Sequence, residues 1–311
     1  MEPLVVLTGP TGVGKTELSL TLAKRIGGEI ISADSMQVYR GMDIGTAKLM
    51  SQDRRGIPHY GIDCVDPTEP WDVTRFVSMA ENAIREIRSR GAIPIVVGGT
   101  GFYIQALTKG LTFDEEEDDG LRERLMKLPK EELHKMLREV DPESADAIPE
   151  GNKKRVVRAL VYEAIHHEPI SALNERQKKQ TTPYNLAYFV LTKERAALYE
   201  DINRRVDEMI ASGLADEVKR VLDAGCPENA PSMLAIGYRQ MLPYLHGECS
   251  LTEAADRIKM ETRRFAKRQM TWFRREEDVI FLEKDNAGTE ELLGRILQKL
   301  NELKIWKDYE R

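Results

Sequence analysis

Short apolar runs alternate with longer amphipathic segments in the first third of the chain. The apolar runs predict strands at Leu4–Leu7, Glu29–Ser32 and Ile93–Val97. The amphipathic segments predict helices over Lys15–Ile26 and Thr74–Arg90. Continuously apolar strands that alternate with helices are typical of a parallel sheet with helices on both faces. The pattern therefore predicts an α/β fold.

Strand signals then disappear, and the next segments predict only helices, which are separated by prolines. These helices are Leu121–Leu128, Lys130–Val140, Asn152–His166 and Ser171–Lys179. Strands return at Leu186–Leu191 and Val279–Leu282, among three further helical segments: Lys193–Ala224, Leu251–Phe273 and Glu290–Trp306. Two consecutive domains are an alternative, but the two late strands would then lack a sheet. We therefore interpret 1–113 and 185–311 as one α/β core and 114–184 as an all-helical insertion domain.

A glycine-rich loop connects the first predicted strand to the first predicted helix. Its sequence, GPTGVGKT, matches the phosphate-binding pattern GxxxxGK[ST]. Glycines allow backbone N–H groups to turn towards an anion, and the helix N-terminus adds a partial positive charge. Lys15 supplies a charge for phosphate oxygens, and the Thr16 hydroxyl is a suitable ligand for Mg²⁺. The sequence thus predicts a P-loop NTPase-like core with a phosphate or pyrophosphate site formed by Gly9, Pro10, Thr11, Gly12, Val13, Gly14, Lys15 and Thr16.

The other strand ends do not match a simple NTP hydrolase. Such enzymes usually hold Mg²⁺ with an acidic residue that closes a hydrophobic strand, whereas Ile93–Val97 is followed by Gly98, Gly99 and Thr100. Asp34 follows the second strand. Because the carboxyl ends of parallel strands meet at one edge of the sheet, we expect Asp34 beside the phosphate loop. A role for Asp34 as a turn or capping residue stays open.

The composition argues against membrane-spanning, disulfide-rich and zinc-finger proteins. The 311 residues are 41% hydrophobic, which is enough for a sizeable core, and no apolar run approaches the length of a membrane span. The three cysteines are isolated, which argues against a disulfide framework or a zinc finger. The first residues lack the pattern of a secretory signal. We expect a cytoplasmic protein without a membrane partner.

Charge is unevenly distributed along the chain. The net charge of −6 argues against a generic nucleic-acid binder, but six acids are concentrated in Asp114–Asp119. In contrast, Arg257–Arg275 contains eight basic residues and one acid, and a second cluster comprises Lys153, Lys154, Arg155 and Arg158. These two basic clusters are therefore candidates for contact with a polyanion, despite the net negative charge. Charged helices are also common, however, as surfaces that contact only solvent.

Eight segments, in order, resemble the bacterial type of the tRNA dimethylallyltransferase (tRNA isopentenyltransferase) family: Gly9–Thr16, Asp34–Tyr39, Gly41–Lys48, Gly98–Tyr103, Lys154–Leu160, Met209–Leu214, Ala235–Arg239 and Ala266–Arg274. The resemblance implies that a dimethylallyl group is transferred from dimethylallyl pyrophosphate to the N6 amine of an adenosine in tRNA. That adenosine lies immediately 3′ of the anticodon in tRNAs that read codons beginning with U. The phosphate loop would hold the donor's pyrophosphate rather than ATP, with Mg²⁺ as cofactor.

The resemblance also implies roles for individual residues. Asp34 would be the general base, while Arg205 and Thr16, through Mg²⁺, would stabilise the leaving pyrophosphate. The expected tRNA contacts lie around the acceptor pocket, in the helical insertion and on the basic helix: Asp34, Ser35, Met36, Gln37, Thr100, Arg122, Lys154, Arg155, Arg158, Arg239, Arg264, Lys267 and Arg268. The protein would bind the anticodon stem-loop as a monomer.

Two other enzyme functions and one non-enzymatic function remain as alternatives. A prenyltransferase acting on free adenylate shares the phosphate loop and the carboxylate but does not require a basic helical insertion. A small-molecule P-loop kinase lacks both DSMQVY and GGTGFY. A simple RNA-binding module would leave the phosphate loop without a role. Among the aromatic residues, we predict that Phe265, Trp272 and Phe273 pack inward and that Tyr39, Tyr103 and Tyr238 are structural.

Overall fold

The structure is a computed structural model that describes residues 1–111, 119–285 and 287–307, except for the side chain of Asp119. The described chain forms two compact units. One comprises Met1–Thr108 with Thr182–Arg311, and the other comprises Lys109–Thr181. The predicted boundary at 114 and most of the acidic run Asp114–Asp119 lie outside the described residues.

Within the described residues, the first unit contains one sheet of six parallel strands in the order β3-β2-β4-β1-β5-β6. The strands are β1 Glu2–Thr8, β2 Gly28–Ala33, β3 His59–Tyr60, β4 Ile93–Gly98, β5 Tyr184–Thr192 and β6 Ile280–Glu283. Because all of them are parallel, their carboxyl ends lie at one edge, where ligands bind in open α/β sheets.

The helices follow closely the segments that carry helical periodicity. They are α1 Lys15–Ile26, α2 Val73–Ser89, α3 Gly101–Thr108, α4 Asp119–Lys127, α5 Lys130–Val140, α6 Pro142–Ala147, α7 Lys153–His166, α8 Ile170–Lys178, α9 Arg195–Ala211, α10 Leu214–Asp223, α11 Tyr238–Leu245, α12 Leu251–Phe273 and α13 Thr289–Glu302. None of these helices is both long enough and apolar enough to cross a membrane.

Side chains of the central strand β1 alternate between two apolar layers. Val5 and Leu7 pack on the side covered by α1 and α13, whereas Leu4 and Val6 pack on the side covered by α2 and α3. All four are fully buried. Successive residues of a strand point to opposite faces, so an unbroken apolar strand must be covered on both sides. The predicted α/β class with helices on both faces is therefore confirmed.

A third apolar cluster lies beyond the edge of the sheet. Val38, Tyr39 and Met42, from the loop after β2, pack against Leu214 of α10 and Tyr238 of α11. Each of the five is almost completely buried. This packing fixes the loop that contains the DSMQVY segment. Tyr39 and Tyr238 thus have the structural role that the sequence predicts.

The second unit is helical throughout its described part. Helices α4–α8 surround a core that includes Leu133, Leu137 and Val161. The Asp141 carboxylate accepts backbone hydrogen bonds from Ser144 and Ser171, both at 3.0 Å, and so links the N-termini of α6 and α8. The hydrogen bonds hold the pKa of Asp141 below its usual range, although burial opposes them.

Four elements are absent from the sequence-based prediction. Strand β3 has two residues and α6 has six, so neither produces a periodic pattern. Helix α3 is short and apolar, and α11 contains Pro243. These elements form through contacts with the rest of the fold, such as the pairing of β3 with β2, which is information that a local pattern does not contain.

Candidate functional site

The loop between β1 and α1 has the backbone geometry of a phosphate cradle. Gly9 and Gly14 adopt φ angles of 145° and 89°, and a Cβ atom on Gly9 would lie 2.3 Å from the carbonyl oxygen of Leu191. The Lys15 ammonium donates to the carbonyl oxygens of Gly9 and Pro10, both at 2.9 Å, and braces the loop from within. Thr16 stands exposed in the first turn of α1.

A cavity of about 740 Å³ opens above this loop at the carboxyl edge of the sheet. Its wall combines the phosphate loop, the ends of β2 and β4, and helices α9 and α12. The predicted site residues that line it are Thr11, Gly12, Gly14, Lys15, Thr16, Asp34, Ser35, Met36, Gln37, Thr100, Arg205, Arg239 and Arg268. One cavity therefore brings together the predicted donor and acceptor residues.

Lys15 and Arg205 both lie at the donor end of the cavity. Arg205 Nη1 lies 3.4 Å from Thr11 Oγ1, its hydrogen-bond acceptor. Burial lowers the pKa of Lys15 to about 7; the Arg205 charge adds to this shift, while the Asp34 carboxylate opposes it. Burial also lowers the pKa of Arg205, again opposed by Asp34. A bound anion would relieve the mutual repulsion of these two cations.

Asp34 serves as a turn residue and also faces the cavity. Its Oδ1 accepts the backbone N–H groups of Met36 at 2.8 Å and Gln37 at 3.3 Å. Its other oxygen, Oδ2, accepts no hydrogen bond from any described residue. The two interpretations of Asp34 are thus compatible, because one oxygen shapes the loop and the other is available to a ligand.

The loop after β4 holds the DSMQ segment in place. A Cβ atom on Gly98 would lie 2.2 Å from the carbonyl oxygen of Ala33, so β2 and β4 approach closely here. The Thr100 hydroxyl accepts the backbone N–H of Ser35 at 3.2 Å. The Gln37 amide donates to the Thr46 carbonyl at 3.3 Å. Thr100 and Gln37 thus fix the shape of the acceptor side.

Gln269 connects the two sides, a role that the sequence analysis missed. Its Oε1 accepts the backbone N–H of Thr11 at 2.9 Å, and its Nε2 donates to the Gly99 carbonyl at 2.8 Å. It is 6% exposed and lies on the buried face of α12 between Ala266 and Phe273. The sequence signal for Gln269 is a polar residue at a position where the helical periodicity of α12 predicts an apolar one.

Glu217 is a second missed residue, and it anchors the Gly41–Lys48 segment. Its carboxylate accepts three consecutive backbone N–H groups, from Asp43 to Gly45, at 2.8–3.0 Å. The Tyr238 hydroxyl donates to the same carboxylate at 2.5 Å. Burial and Glu217 together raise the pKa of Tyr238 well above its usual range. These contacts are structural, and they place Gly45 and Thr46 in the cavity wall.

The aromatic residues of α12 differ in part from the prediction. Phe273 is fully buried, as predicted, and the half-buried Trp272 packs edge-on against Phe102 at 6.3 Å between ring centroids. Phe265, however, lines the cavity, and the Arg268 guanidinium lies 5.7 Å from its ring centroid. The inward packing predicted for Phe265 is therefore wrong, because this face of α12 borders the cavity rather than the core.

The remaining predicted tRNA contacts are surface cations. On α12, Arg264 is paired with Glu261 and Lys267 is exposed. In the second unit, the four predicted cations on α4 and α7 are all exposed: Arg122, Lys154, Arg155 and Arg158. None of these four forms an ion pair with a carboxylate of the described chain. They are available to a polyanion, and their role in binding tRNA stays a prediction.

The described residues offer few protein ligands for a metal ion. They contain no group of three or more His, Cys, Asp or Glu side chains arranged to hold one. Mg²⁺ commonly keeps several waters and binds substrate phosphates together with one or two protein oxygens. The exposed Thr16 hydroxyl beside the phosphate loop fits that pattern, provided that the substrate supplies phosphate oxygens.

Comparison with known proteins gives one consistent result. A family model described as IPP transferase matches residues 37–276, and one described as isopentenyl transferase matches residues 2–58. A curated protein from Lachnoclostridium phytofermentans, named tRNA dimethylallyltransferase, is 49% identical over 313 residues. That match covers 99% of this chain and 100% of the relative.

Solved structures agree with the sequence relatives. The crystal structure of a tRNA delta(2)-isopentenylpyrophosphate transferase from Staphylococcus epidermidis is 39% identical, with a TM-score of 0.74, and the match covers 97% of this chain and 99% of that one. A eukaryotic dimethylallyltransferase acting on tRNA is 28% identical, with a TM-score of 0.86, over 100% of this chain and 82% of that one.

Proposed function

The chain belongs to the IPP transferase family, as its sequence segments predict, and we propose that it prenylates tRNA. It is an enzyme that transfers a dimethylallyl group. In our proposal the donor is dimethylallyl pyrophosphate, and the acceptor is the N6 amine of the adenosine immediately 3′ of the anticodon. The substrates are tRNAs that read codons beginning with U.

One observation carries this proposal. A single cavity contains the cationic phosphate loop, with Lys15 and Arg205, and the carboxylate of Asp34. A P-loop hydrolase usually combines such a loop with an acidic residue at the end of a hydrophobic strand such as β4, where this chain has Gly98. A transferase that joins a pyrophosphate ester to a weak nucleophile needs both the cationic loop and the carboxylate, within reach of one bound substrate pair.

Asp34 is proposed to act on the acceptor. The N6 lone pair of adenine is delocalised into the ring, so the amine is a poor nucleophile. As the new bond from N6 to C1 of the prenyl group forms, the C1–O bond to pyrophosphate breaks and an N6 proton must leave. The Asp34 carboxylate takes that proton, a contribution worth about 10²–10⁴-fold in rate. Because Met36 and Gln37 fix Oδ1, the carboxylate is already oriented.

Lys15, Arg205 and Thr16 are proposed to act on the leaving group. Negative charge develops on the pyrophosphate as the C1–O bond breaks, and fixed cations and N–H groups stabilise it. When bound, Mg²⁺ supplies further positive charge to the pyrophosphate oxygens. Thr16 is the protein residue that would hold it.

Access of the adenosine requires that it leave the anticodon stack. A stacked base does not reach a recessed donor, so we propose that the nucleotide is extruded into the cavity. Phe265 and Arg268 at the wall offer an aromatic face and a guanidinium plane, both suited to splayed bases. The exposed cations of α4 and α7 would hold the anticodon stem through its phosphates. We propose that the enzyme acts as a monomer in the cytoplasm.

A product assay tests this function. The protein is incubated with Mg²⁺, dimethylallyl pyrophosphate and unmodified tRNA, AMP or no acceptor, and the products are weighed by mass spectrometry. We expect tRNA alone to gain one dimethylallyl group, at the predicted adenosine. Modification of AMP instead would favour the free-adenylate alternative. ATP hydrolysis without prenyl transfer would contradict the proposal.

A further inference from the structure

Among the described residues, three cations contact the phosphate loop. Lys15 lies within it, Arg205 reaches Thr11, and Lys284 reaches Val13. None of these three forms an ion pair with a carboxylate of the described chain. The contrast with neighbouring cations is clear, because Lys193 and Arg204 both bind the Asp201 carboxylate. A cation at such a loop that has no acidic partner is available to an anionic ligand.

Lys284 is held at its position by the sheet. It directly follows β6, and its backbone N–H donates to the Thr192 carbonyl at the end of β5 at 3.0 Å. Its Nζ donates to the Val13 carbonyl at 3.3 Å. A Cβ atom on Gly14 would lie 2.2 Å from that Nζ, so the ammonium rests directly against Gly14. Lys284 also lines the same cavity as Lys15 and Thr16.

We propose that Lys284 is a third pyrophosphate-binding cation of this enzyme. An ammonium group has three N–H donors, and the bond to Val13 uses one of them. The other donors can reach oxygens of an anion seated above Gly14. Pyrophosphate carries several negative charges and oxygen acceptors at neutral pH, so it can bind a further cation beside Lys15, Arg205 and the proposed Mg²⁺. The inference rests on the proposed function, since it assumes that pyrophosphate occupies the loop.

The eight segments that carry the family resemblance do not identify Lys284 as a pyrophosphate-binding residue. Lys284 lies outside all eight of them and is separated from Val13 by 271 positions. Only the parallel sheet, in which β6 ends beside β5 and β5 beside β1, brings this side chain to the loop. The position is therefore a feature of this chain's own structure.

Calorimetric titration with inorganic pyrophosphate, repeated with dimethylallyl pyrophosphate, tests the inference. The variants are Lys284→Ala, Lys284→Gln and Lys284→Arg, with Lys24→Ala as a matched control at an exposed position of α1. Glutamine can still donate to the Val13 carbonyl but carries no charge. We expect Lys284→Ala and Lys284→Gln to bind pyrophosphate roughly 5- to 50-fold more weakly. Lys284→Arg and Lys24→Ala should stay within about threefold of the parent.

The outcomes separate the possible roles. Parental affinity in Lys284→Gln with a loss in Lys284→Ala would mean that Lys284 only supports the loop backbone, and would overturn the inference. Parental affinity in both would overturn it as well. If the parent itself failed to bind pyrophosphate, the proposed function would fall together with the inference. Should Lys284→Ala not fold, the comparison of Lys284→Gln with Lys284→Arg still decides.

Discussion

Gln269 accepts a hydrogen bond from the backbone N–H of Thr11 at 2.9 Å, across 258 positions of the chain. Its amide nitrogen donates at the same time to the Gly99 carbonyl. One buried side chain on α12 thus joins the phosphate loop to the loop that supports the DSMQ segment. The two halves of the reaction are held at a fixed spacing by this amide.

Replacing Gln269 with alanine tests that connection. The change leaves the Thr11 N–H and the Gly99 carbonyl without their partner in a buried setting, so the free energy of unfolding should fall by about 1–3 kcal/mol. Prenyl transfer should slow even at saturating substrates, because positioning is lost. Urea unfolding and single-turnover assays measure the two effects. The control Gln298→Ala removes an exposed glutamine from α13 and should change neither. Unchanged stability and turnover in Gln269→Ala would show that the bridge is dispensable.

The sequence predicted the locally encoded part of the molecule. Helix α1 and the phosphate loop follow from neighbouring residues, and so do the apolar strands. The backbone partners of Gln269 and Glu217 did not follow, because each of those hydrogen bonds spans more than 150 positions. Phe265 was misjudged for the same reason: its spacing from Phe273 shows that both lie on α12, but not which element each one faces.

The site residues also divide into features that the local sequence predicts and contacts that only the fold creates. The functional residues of the DSMQ and GGT segments were identified from the sequence, through the resemblance to the family. That their loops touch through Ser35 and Thr100 depends on β2 and β4 being neighbours. The position of the Lys284 side chain at the phosphate loop depends on strand order in the same way. Contacts across strand ends therefore mark what a single sequence does not disclose.

Asp34→Asn tests the general base. Asparagine keeps an oxygen that accepts the Met36 N–H, so the turn should persist, while the ability to take the N6 proton is lost. We expect near-parental binding of donor and tRNA and a rate of transfer lower by about 10²-fold or more. Single-turnover kinetics with saturating tRNA measure this rate. Asp256→Asn, at an exposed position of α12, is the control. A near-parental rate in Asp34→Asn would remove Asp34 from the mechanism.

Donor binding should depend on pH through Lys15. Burial and the Arg205 charge lower the pKa of Lys15 to about 7 in the free protein. Bound pyrophosphate raises that pKa again, since it favours the charged form. Below pH 7 Lys15 is already charged, so it takes up little of a proton when the donor binds. Above pH 7 Lys15 is mostly neutral, and donor binding requires the uptake of up to one proton. The affinity should therefore weaken by up to about tenfold for each pH unit above 7.

Calorimetry in buffers of different ionisation enthalpy measures this proton uptake. Lys15→Arg is the control, because arginine stays charged throughout the range. Free pyrophosphate is the same in both titrations, and arginine takes up no proton, so the additional uptake by the parent reports Lys15. Equal uptake by the parent and the arginine variant at pH 8 would contradict the lowered pKa.

The exposed cations of α7 should bind tRNA without taking part in the chemistry. Each phosphate that a cation neutralises releases counterions, so the logarithm of affinity falls linearly with the logarithm of salt concentration. The double variant Lys154→Ala with Arg158→Ala should weaken tRNA binding and reduce this slope by about one for each lost contact. Its single-turnover rate at saturating tRNA should hardly change. The control, Lys135→Ala with Arg138→Ala, removes the same charge from α5, where both residues are also exposed.

Arg205→Ala should show the opposite behaviour. Its guanidinium lies beside Thr11 in the donor end of the cavity, so its expected partner is the leaving pyrophosphate. The affinity for tRNA and the salt slope should stay close to those of the parent. The chemical step should slow by roughly 10²–10³-fold, as is typical for loss of a donor to a developing anion. Filter binding across a salt series and single-turnover kinetics give both quantities. If Arg205→Ala lost tRNA affinity and kept its chemical rate, while the α7 variant slowed the chemistry, the two roles would be assigned to the wrong residues.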